Sequence, residues 1–245
     1  MKTIIAAGGM LLALAGNAGR AAPTGVGAII GGSSLLDDGR QSQLERWLGK
    51  GELNLNNVYT LRPGDTSAIF HQAVDGKGAT FTLLDVTNGS GQSFLVGGYN
   101  PQSWSSTDGW HETERDFQRT AFLFNFTTPA VYRQVPTSYQ LPSQGLRQTF
   151  NDILFGPVFG SGPDLLVNDD LTKALSWQLS YGNPMNEGMS IIDGSLGGQA
   201  VTVNAMEIFA IAPVPEPSAG AMLLAGVGML GAFGHWRQRK RQSQA

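Results

Sequence analysis

Cysteine is absent from the 245 residues of the chain, so no disulfide bond can contribute to its stability. The same absence excludes antioxidant chemistry that proceeds through a sulfenic acid or a disulfide. A chain of this length buries enough apolar surface to fold without crosslinks. We therefore expect one domain, flanked by tails, that is held together by a hydrophobic core and hydrogen bonds.

Histidine is scarce as well, with three in the whole chain. Only His71 and His111 precede the apolar C-terminal stretch, and neither has a second histidine at the spacing of a helical metal-binding pair. A metal or general-base site could still combine His111 with Glu112, Glu114 or Asp116. We predict a solvated loop there and a protein that is not an enzyme. A hydrolase that uses His111 and Glu112 is the alternative.

Basic residues are few in the central part of the chain. Residues 1–21 and 214–245 contain six of the sixteen basic residues and one of the nineteen acidic ones, which leaves 10 basic and 18 acidic residues between them. The central part therefore carries a net charge of −8, against −3 for the whole chain. Nucleic acids and anionic membranes bind clustered Lys and Arg, so this charge argues against both as partners of the domain.

The N-terminus has the pattern of a secretory signal. Lys2 precedes an apolar run over residues 4–15, and small residues suited to signal peptidase follow it, up to Ala21. The run is too short to be a comfortable membrane span. We predict a signal peptide over residues 1–21 and export of the residues that follow.

The C-terminus combines three parts without a gap. A short motif comes first, formed by Val214, Pro215, Glu216, Pro217 and Ser218. Its prolines disfavour helix and sheet, so a processing enzyme can reach the chain there. The eighteen residues 219–236 carry no formal charge and would form a helix roughly 27 Å long, enough to span a bilayer. The positive-inside rule keeps the basic end in the cytoplasm, and this end is formed by Arg237, Arg239, Lys240 and Arg241.

This order of parts resembles the PEP-CTERM sorting signal of Gram-negative bacteria, here over residues 212–241. The resemblance implies that an exosortase recognises the tail while it anchors the protein transiently in the inner membrane, and then cuts it near the motif. The processed protein is expected at the cell surface or in the extracellular matrix. The alternative is a permanent C-terminal membrane anchor.

Two short helices are predicted near the start of the domain. After a flexible lead-in over residues 22–34, apolar residues recur at helical spacing from Asp37 or Asp38 to Leu48, and Gly49 ends the run. A second helix is predicted over residues 65–74. The residues of this second helix that are expected to face the core are Ala68, Ile69 and Ala73.

Strands dominate the rest of the domain. The strongest local signal is a hairpin in which Asn88 and Gly89 separate strands over residues 80–86 and 93–99. A half-buried strand over residues 119–126 is expected to place three phenylalanines on the core face, Phe122, Phe124 and Phe126. Further strands are predicted over residues 53–61, 131–135, 175–181 and 201–211, and within 155–166. The pattern predicts a mainly β domain with a few helices, arranged as a two-sheet antiparallel β-sandwich, plus one C-terminal transmembrane helix.

The order of apolar runs and turns across residues 35–211 resembles a TLDc domain. Its first half contributes Leu35, Leu36, Leu44, Trp47, Leu48, Val58, Tyr59, Ser67, the Gly76-Lys77-Gly78 turn and residues 81–84. Its second half contributes the Asn88-Gly89 turn, residues 96–99, Trp104, residues 122–124 and 159–167, the Tyr181-Gly182-Asn183-Pro184 segment and residues 203–209.

The TLDc resemblance implies a sandwich of two antiparallel sheets with flanking helices. Members of the family are associated with protection against oxidative damage and, in eukaryotes, with the vacuolar proton-pumping ATPase. The family has no agreed catalytic residues to carry over. This chain departs from the eukaryotic pattern in being more polar over residues 106–116, and an exported domain would not meet a cytoplasmic pump, so the ATPase role is not expected.

Aromatic residues in or beside loops suggest a second kind of function. Tyr99, Trp104, Trp110 and Tyr139 could stack on sugar rings, as aromatic residues do in many sandwich-type carbohydrate-binding modules. Trp104 fits a packing role, which leaves Trp110 as the better surface candidate. With His111 and Glu112, Trp110 forms the candidate ligand site, and an extracellular polysaccharide is the candidate ligand.

Oxygen ligands for calcium are available near residue 170. Calcium binds carboxylate and amide oxygens, and it often stiffens loops of exported β domains. The spacing of an EF-hand loop is absent, and the same residues favour turns, so no cofactor is predicted and calcium is the alternative. The residues concerned are Asp164, Asn168, Asp169 and Asp170.

Overall fold

The computed structural model describes residues 27–139, 141 and 144–212. The predicted signal peptide, the sorting motif and the membrane span over residues 219–236 lie outside the described residues. Within the described ranges, no helix is long and apolar enough to cross a membrane.

The first helix, α1, spans Asp38–Leu48 and has the predicted ends. Asp37 is extended, and its side chain accepts a hydrogen bond from the Arg40 N–H at 2.8 Å. At the other end Gly49 adopts φ 71°, a left-handed conformation that glycine tolerates, and its N–H donates to the Glu45 carbonyl. The prediction of this helix is confirmed.

The second helix, α2, spans Ser67–Val74, but the predicted inward face is wrong. Ala68 and Ile69 are exposed, and Ala73 is only half-buried. The face that turns inward carries larger side chains, because the Phe70 ring packs edge-on against Tyr59 and Trp104, each at a centroid distance of 5.9 Å. The buried residues of α2 are Ser67, Phe70, His71 and Val74.

Twelve strands account for most of the remaining regular structure in the described residues. The first six are β1 (Ile29–Ile30), β2 (Asn54–Thr60), β3 (Thr80–Thr87), β4 (Ser93–Asn100), β5 (Gly109–Glu112) and β6 (Phe122–Asn125). The others are β7 (Ala130–Arg133), β8 (Arg147–Asn151), β9 (Val158–Phe159), β10 (Leu165–Val167), β11 (Lys173–Leu175) and β12 (Val201–Ala212). Short 3₁₀ turns occupy Asp116–Gln118 and Pro184–Asn186. The chain is thus mainly β with two α-helices in its described part.

All twelve strands belong to one hydrogen-bonded network, and every pair except β1–β2 is antiparallel. Strands follow the order β5-β8-β9-β10-β11-β12-β3-β4-β6-β7, and β2 joins the network by pairing with β12. Strand β12 therefore lies at the centre: it pairs with β3 on one side and with both β11 and β2 on the other. The sequence predicted two sheets, whereas here β12 links the strands of both into one network.

Hydrophobic clusters cover both faces of the central strands β3, β4, β6 and β12. One cluster joins Leu84 and Met206 of the central strands to Phe159 of β9 and Phe70 of α2. The other cluster lies on the opposite face, where Leu44 of α1 meets aromatic rings of the central strands. Side chains alternate along a strand, so a strand between two cores is apolar at successive positions.

Strand β6 differs from the prediction of a half-buried strand. Phe122 and Phe124 belong to the cluster under α1, as expected, but Leu123 and Asn125 on the other face are also fully buried. The buried Asn125 amide is satisfied because its Nδ2 donates to the carbonyls of residues 191 and 192, at 2.9 and 2.8 Å. Asparagine is usually found at the protein surface, so the sequence pattern predicts only one buried face for this strand.

Two other parts of the sequence-based prediction need correction. Strands β5 and β8 were not expected, because residues 106–116 and 147–151 are too polar to predict strands. Of the strand predicted over residues 175–181, only Leu175 lies in a strand, the last residue of β11, and Tyr181 forms an isolated bridge with Gln134.

The N-terminal segment is bound to the centre of the sheet. The sequence predicted a lead-in without regular structure over residues 22–34, whereas residues 27–34 include β1 and two serines that hold Glu207. This β12 carboxylate is buried and accepts hydrogen bonds from the Ser33 Oγ, the Ser34 N–H at 2.8 Å and the Ser34 Oγ at 2.9 Å. The ordered domain therefore begins before Leu35.

Candidate functional site

The predicted site residues Trp110, His111 and Glu112 lie on strand β5, not in a loop. Strand β5 forms one end of the sheet and pairs only with β8 among the described strands. Across this pair Trp110 faces Phe150, and Glu112 faces Arg147 after a register shift. The three residues thus lie on an edge strand of the sheet.

The Trp110 ring is packed against its neighbours. Its centroid lies 4.7 Å from that of Phe150, and the Arg147 guanidinium lies over the ring at 4.7 Å. Arg147 is also 3.6 Å from the Glu112 carboxylate, an exposed ion pair that contributes little to stability. Trp110 is therefore half-buried between two partners, and its ring is less available for stacking on a sugar than the sequence suggested.

The acidic residues near His111 do not gather around it. Partial burial lowers the pKa of His111, which favours its neutral form. Asp116 binds Thr137 instead: the Thr137 N–H and Oγ donate to its carboxylate at 2.7 and 2.9 Å and lower its pKa. Across the described ranges, no group of three or more His, Cys, Asp or Glu side chains is placed to hold a metal ion.

A polar cleft of about 350 Å³ lies beside Arg147, and the sequence analysis missed it. One of its residues, Gln144, is 7% exposed, and its Nε2 has no hydrogen-bond partner in the described part of the chain. No sequence pattern signals this cleft, because its residues come from five separate segments. The lining residues used below are Glu112, Gln144, Arg147, Ser161, Leu179 and Glu187.

Among the predicted surface aromatics, two are core residues. Tyr99 and Trp104 are 2% and 1% exposed, and the Trp104 Nε1 donates to the Thr80 Oγ at 3.0 Å. Trp177, which was assigned to a strand and given no role, is 42% exposed. The most exposed tryptophan in the described part of the chain is therefore Trp177, and not Trp110 as the sequence predicts.

The four candidate calcium ligands do not form one site. Asp164 is fully buried, and its carboxylate accepts hydrogen bonds from the N–H groups of Leu179, Tyr181 and Ser180 at 2.7, 2.8 and 3.0 Å. Burial raises the pKa of Asp164 to about 7, although these donors oppose that shift. The other three candidates lie in the turn between β10 and β11, where Asp170 binds the Thr172 hydroxyl at 2.6 Å.

His71 is used inside the fold. Its Nδ1 lies 2.7 Å from an Asp75 oxygen, and its Nε2 lies 3.0 and 3.1 Å from the carbonyls of Asp152 and Phe155. The ring is 2% exposed and joins α2 to the loop between β8 and β9. This arrangement gives His71 a structural role.

Comparison with known families identifies a PEP-CTERM protein-sorting motif over residues 213–240. The match begins immediately after Ala212, the last residue of β12. The motif indicates an exported protein that is targeted to an exosortase and carries a membrane-anchored sorting signal. A comparison with curated proteins finds no match.

Proposed function

We propose that this chain is an exported, exosortase-processed protein of the cell surface or extracellular matrix, with a non-enzymatic domain that binds or supports matrix components. The observation that carries the proposal is the sorting motif at residues 213–240, which directly follows the last strand. The predicted signal peptide supports the same direction of export. In this proposal the exosortase and signal peptidase are processing partners.

The non-enzymatic part of the proposal rests on how the titratable side chains are used. His71 and Asp164 are committed to backbone groups inside the fold, and Glu112 pairs with Arg147. His111 faces Thr149 across the strand pair. These contacts give no support to a hydrolase built on His111 and Glu112.

The proposal also assigns the domain a TLDc-like sandwich, in which β12 joins the strands of both layers. Its support is the order of turns and apolar runs together with the antiparallel pairing of β3, β4 and β6. A role in oxidative-stress protection is part of that assignment. Without cysteine it would have to act by binding and not by thiol chemistry.

The test is the intact mass and cellular fraction of the protein from its native host, with and without the exosortase. We expect a product that ends near residues 215–217 in the surface or medium fraction, and full-length protein in the membrane when the exosortase is removed. Replacing Pro215, Glu216 and Pro217 by alanine should give the same retention. A matched control, Pro213→Ala, replaces a neighbouring proline but leaves Pro215, Glu216 and Pro217 intact, and it should be processed. Membrane-bound full-length protein in both strains would contradict the proposal.

A further inference from the structure

Trp177 lies on the surface between two glycines. A side-chain carbon at Gly188 would lie 3.3 Å from the Trp177 Nε1, and one at Gly198 would lie 3.5 Å from its Cε3. Both glycines have positive φ, 82° and 63°, so larger residues are disfavoured there and the ring packs directly on the backbone. The ring is 42% exposed, and its N–H donates to no group in the described part of the chain. One flat, apolar surface with a free donor is thus presented to solvent.

The Trp177 ring adjoins the polar cleft. Along residues 176–180 Trp177 and Leu179 are more exposed than their neighbours, which are buried. Leu179, two positions along the chain from Trp177, lines the cleft. Glu187, next to Gly188, lines the cleft as well. The ring and the cleft therefore form one surface.

The cleft offers hydrogen-bonding groups of both kinds. The Gln144 amide is more than nine-tenths buried, lines the cleft and has an Nε2 without a partner among the described residues. An unpartnered buried donor costs free energy in the unbound protein, and a ligand acceptor would remove that cost. Glu112 and Glu187 are exposed acceptors on the same cleft.

The charges favour a neutral ligand. Two carboxylates line the cleft. Arg147, the one cation among its described lining residues, already lies against Glu112 and over the Trp110 ring. An anionic polymer would be repelled by the carboxylates, whereas hydroxyl groups can donate to them. A flat indole beside hydroxyl acceptors and an amide donor suits the apolar face and polar rim of a sugar ring.

We propose that Trp177 and the polar cleft together bind a neutral, hydroxyl-rich polysaccharide chain. Trp177 would stack on one sugar ring, while Glu112, Gln144 and Glu187 would bind hydroxyl groups of the neighbouring ring. This inference deepens the proposed function and rests on it, because it assumes that the domain acts outside the cell. It moves the stacking role from Trp110 to Trp177.

The experiment is native affinity electrophoresis of the full-length protein in detergent. The gels contain hydroxyethyl cellulose as a soluble neutral glucan, alginate as an anionic polymer, or no polymer. We expect retardation by the neutral glucan only. Trp177→Ala should weaken binding about tenfold or more, equivalent to roughly 1.4 kcal/mol. The matched control Phe117→Ala removes an aromatic side chain that is 72% exposed elsewhere and should bind as the unaltered protein does.

A second variant separates binding from folding. Gln144→Leu removes an amide whose Nε2 is unpartnered, so the unfolding temperature should be unchanged or higher, while binding to the glucan should weaken. Equal retardation of the unaltered protein, Trp177→Ala and Gln144→Leu would overturn the proposal. So would retardation by alginate alone, or by neither polymer. Cell fractionation tests export independently of glucan binding. A negative binding result would therefore overturn this inference without contradicting the proposed processing by the exosortase.

Discussion

At the scale of single residues, Asp164 has the least ordinary environment. Its carboxylate is fully buried, and the N–H groups of residues 179–181 donate to it. Within the described ranges, no cation is among its hydrogen-bond partners. These bonds tie the segment after β11 to the turn between β9 and β10. Burial still raises the pKa of Asp164 to about 7, so the ionised form is disfavoured in the folded protein.

This pKa predicts a pH-dependent contribution to stability. The folded pKa of about 7 exceeds the ordinary value of 3.8, so the contribution is fully present below pH 4 and is lost as the pH rises toward 7. Between pH 5 and pH 8 the loss should be roughly 2 to 3 kcal/mol. The measurement is urea unfolding of the unaltered protein and of Asp164→Asn, whose side chain does not titrate.

The difference between the two proteins isolates Asp164 from other titrating groups. Asp164→Asn should be less stable at both pH values, because the Asn side chain brings an NH₂ group toward backbone donors. Its deficit relative to the unaltered protein should be larger at pH 5 than at pH 8. A deficit that is the same at both pH values would contradict the raised pKa.

Gly98 of β4 predicts a steric effect on stability. A side-chain carbon at this position would lie 2.6 Å from the Phe159 ring and 2.8 Å from Leu123. Gly98→Ala should therefore reduce the free energy of unfolding by about 1–3 kcal/mol, the usual cost of overpacking a core. The matched control is Gly89→Ala, because nothing lies within 4 Å of that position. Equal unfolding free energies for the two variants in urea would show that the core accommodates the added methyl group.

At the scale of secondary-structure elements, α2 is held to the loop between β8 and β9 by side chains. The Ser67 Oγ donates to the Ile153 carbonyl at 2.6 Å, and His71 Nε2 lies 3.0 Å from the Asp152 carbonyl. Both side chains lie on the buried face of the helix. The loop contains no helix or strand. Besides these contacts, its Ile153 and Gly156 N–H groups donate to the Ser106 and Val167 carbonyls, each at 3.0 Å.

His71→Leu should loosen this loop. The substitution keeps an apolar side chain of similar bulk but removes the His71 Nε2 contact to two carbonyls. The Asp152 carbonyl keeps the Phe155 N–H, whereas the Phe155 carbonyl loses its partner, at a cost of about 1–3 kcal/mol. Hydrogen exchange should accelerate over residues 152–156. Gln72→Leu, the same replacement at the exposed neighbouring position, should leave the exchange rates unchanged. Equal exchange in both variants would show that packing alone holds the loop.

The elements that the sequence could predict are those with local signals. The hairpin of β3 and β4 is marked by its turn, and α1 is marked by Asp37 and Gly49 at its ends. Strands β5 and β8 have no such signal, because their pairing depends on residues about forty positions apart, such as Trp110 and Phe150. Long-range pairing of polar segments is invisible in a local pattern.

The candidate site was harder to predict than the fold for the same reason. Trp110 could be named from its polar neighbours, but the Arg147 that covers its ring lies on another strand. The exposure of Trp177 depends on the backbone of Gly188 and Gly198, which a single sequence does not place beside it. A surface assembled from distant segments becomes visible only in the folded chain.

At the scale of the whole molecule, the two hydrophobic clusters share one sheet. Trp47 of α1 stacks on Phe124 at 5.7 Å on one face, and Trp104 packs against Phe159 at 5.3 Å on the other. Strands β3, β4, β6 and β12 contribute side chains to both clusters. If these strands separate, both clusters are therefore disrupted together. The described domain should therefore unfold as a single unit.

Single-tryptophan variants that keep either Trp47 or Trp104 test this cooperativity. In each variant, the urea transition followed by tryptophan fluorescence should coincide with the transition followed by far-UV circular dichroism. Two separated transitions in either variant would show that one cluster unfolds first. The dichroism curve serves as the internal control, since the substitutions themselves shift stability.

The position of β12 has a consequence for the timing of export. A chain that leaves the cytoplasm N-terminus first delivers β12 after every strand it pairs with, so β2, β3 and β11 wait for their shared neighbour. The next residues to follow are those of the sorting motif. The central strands can therefore complete their pairing only when the sorting motif is next to leave the cytoplasm.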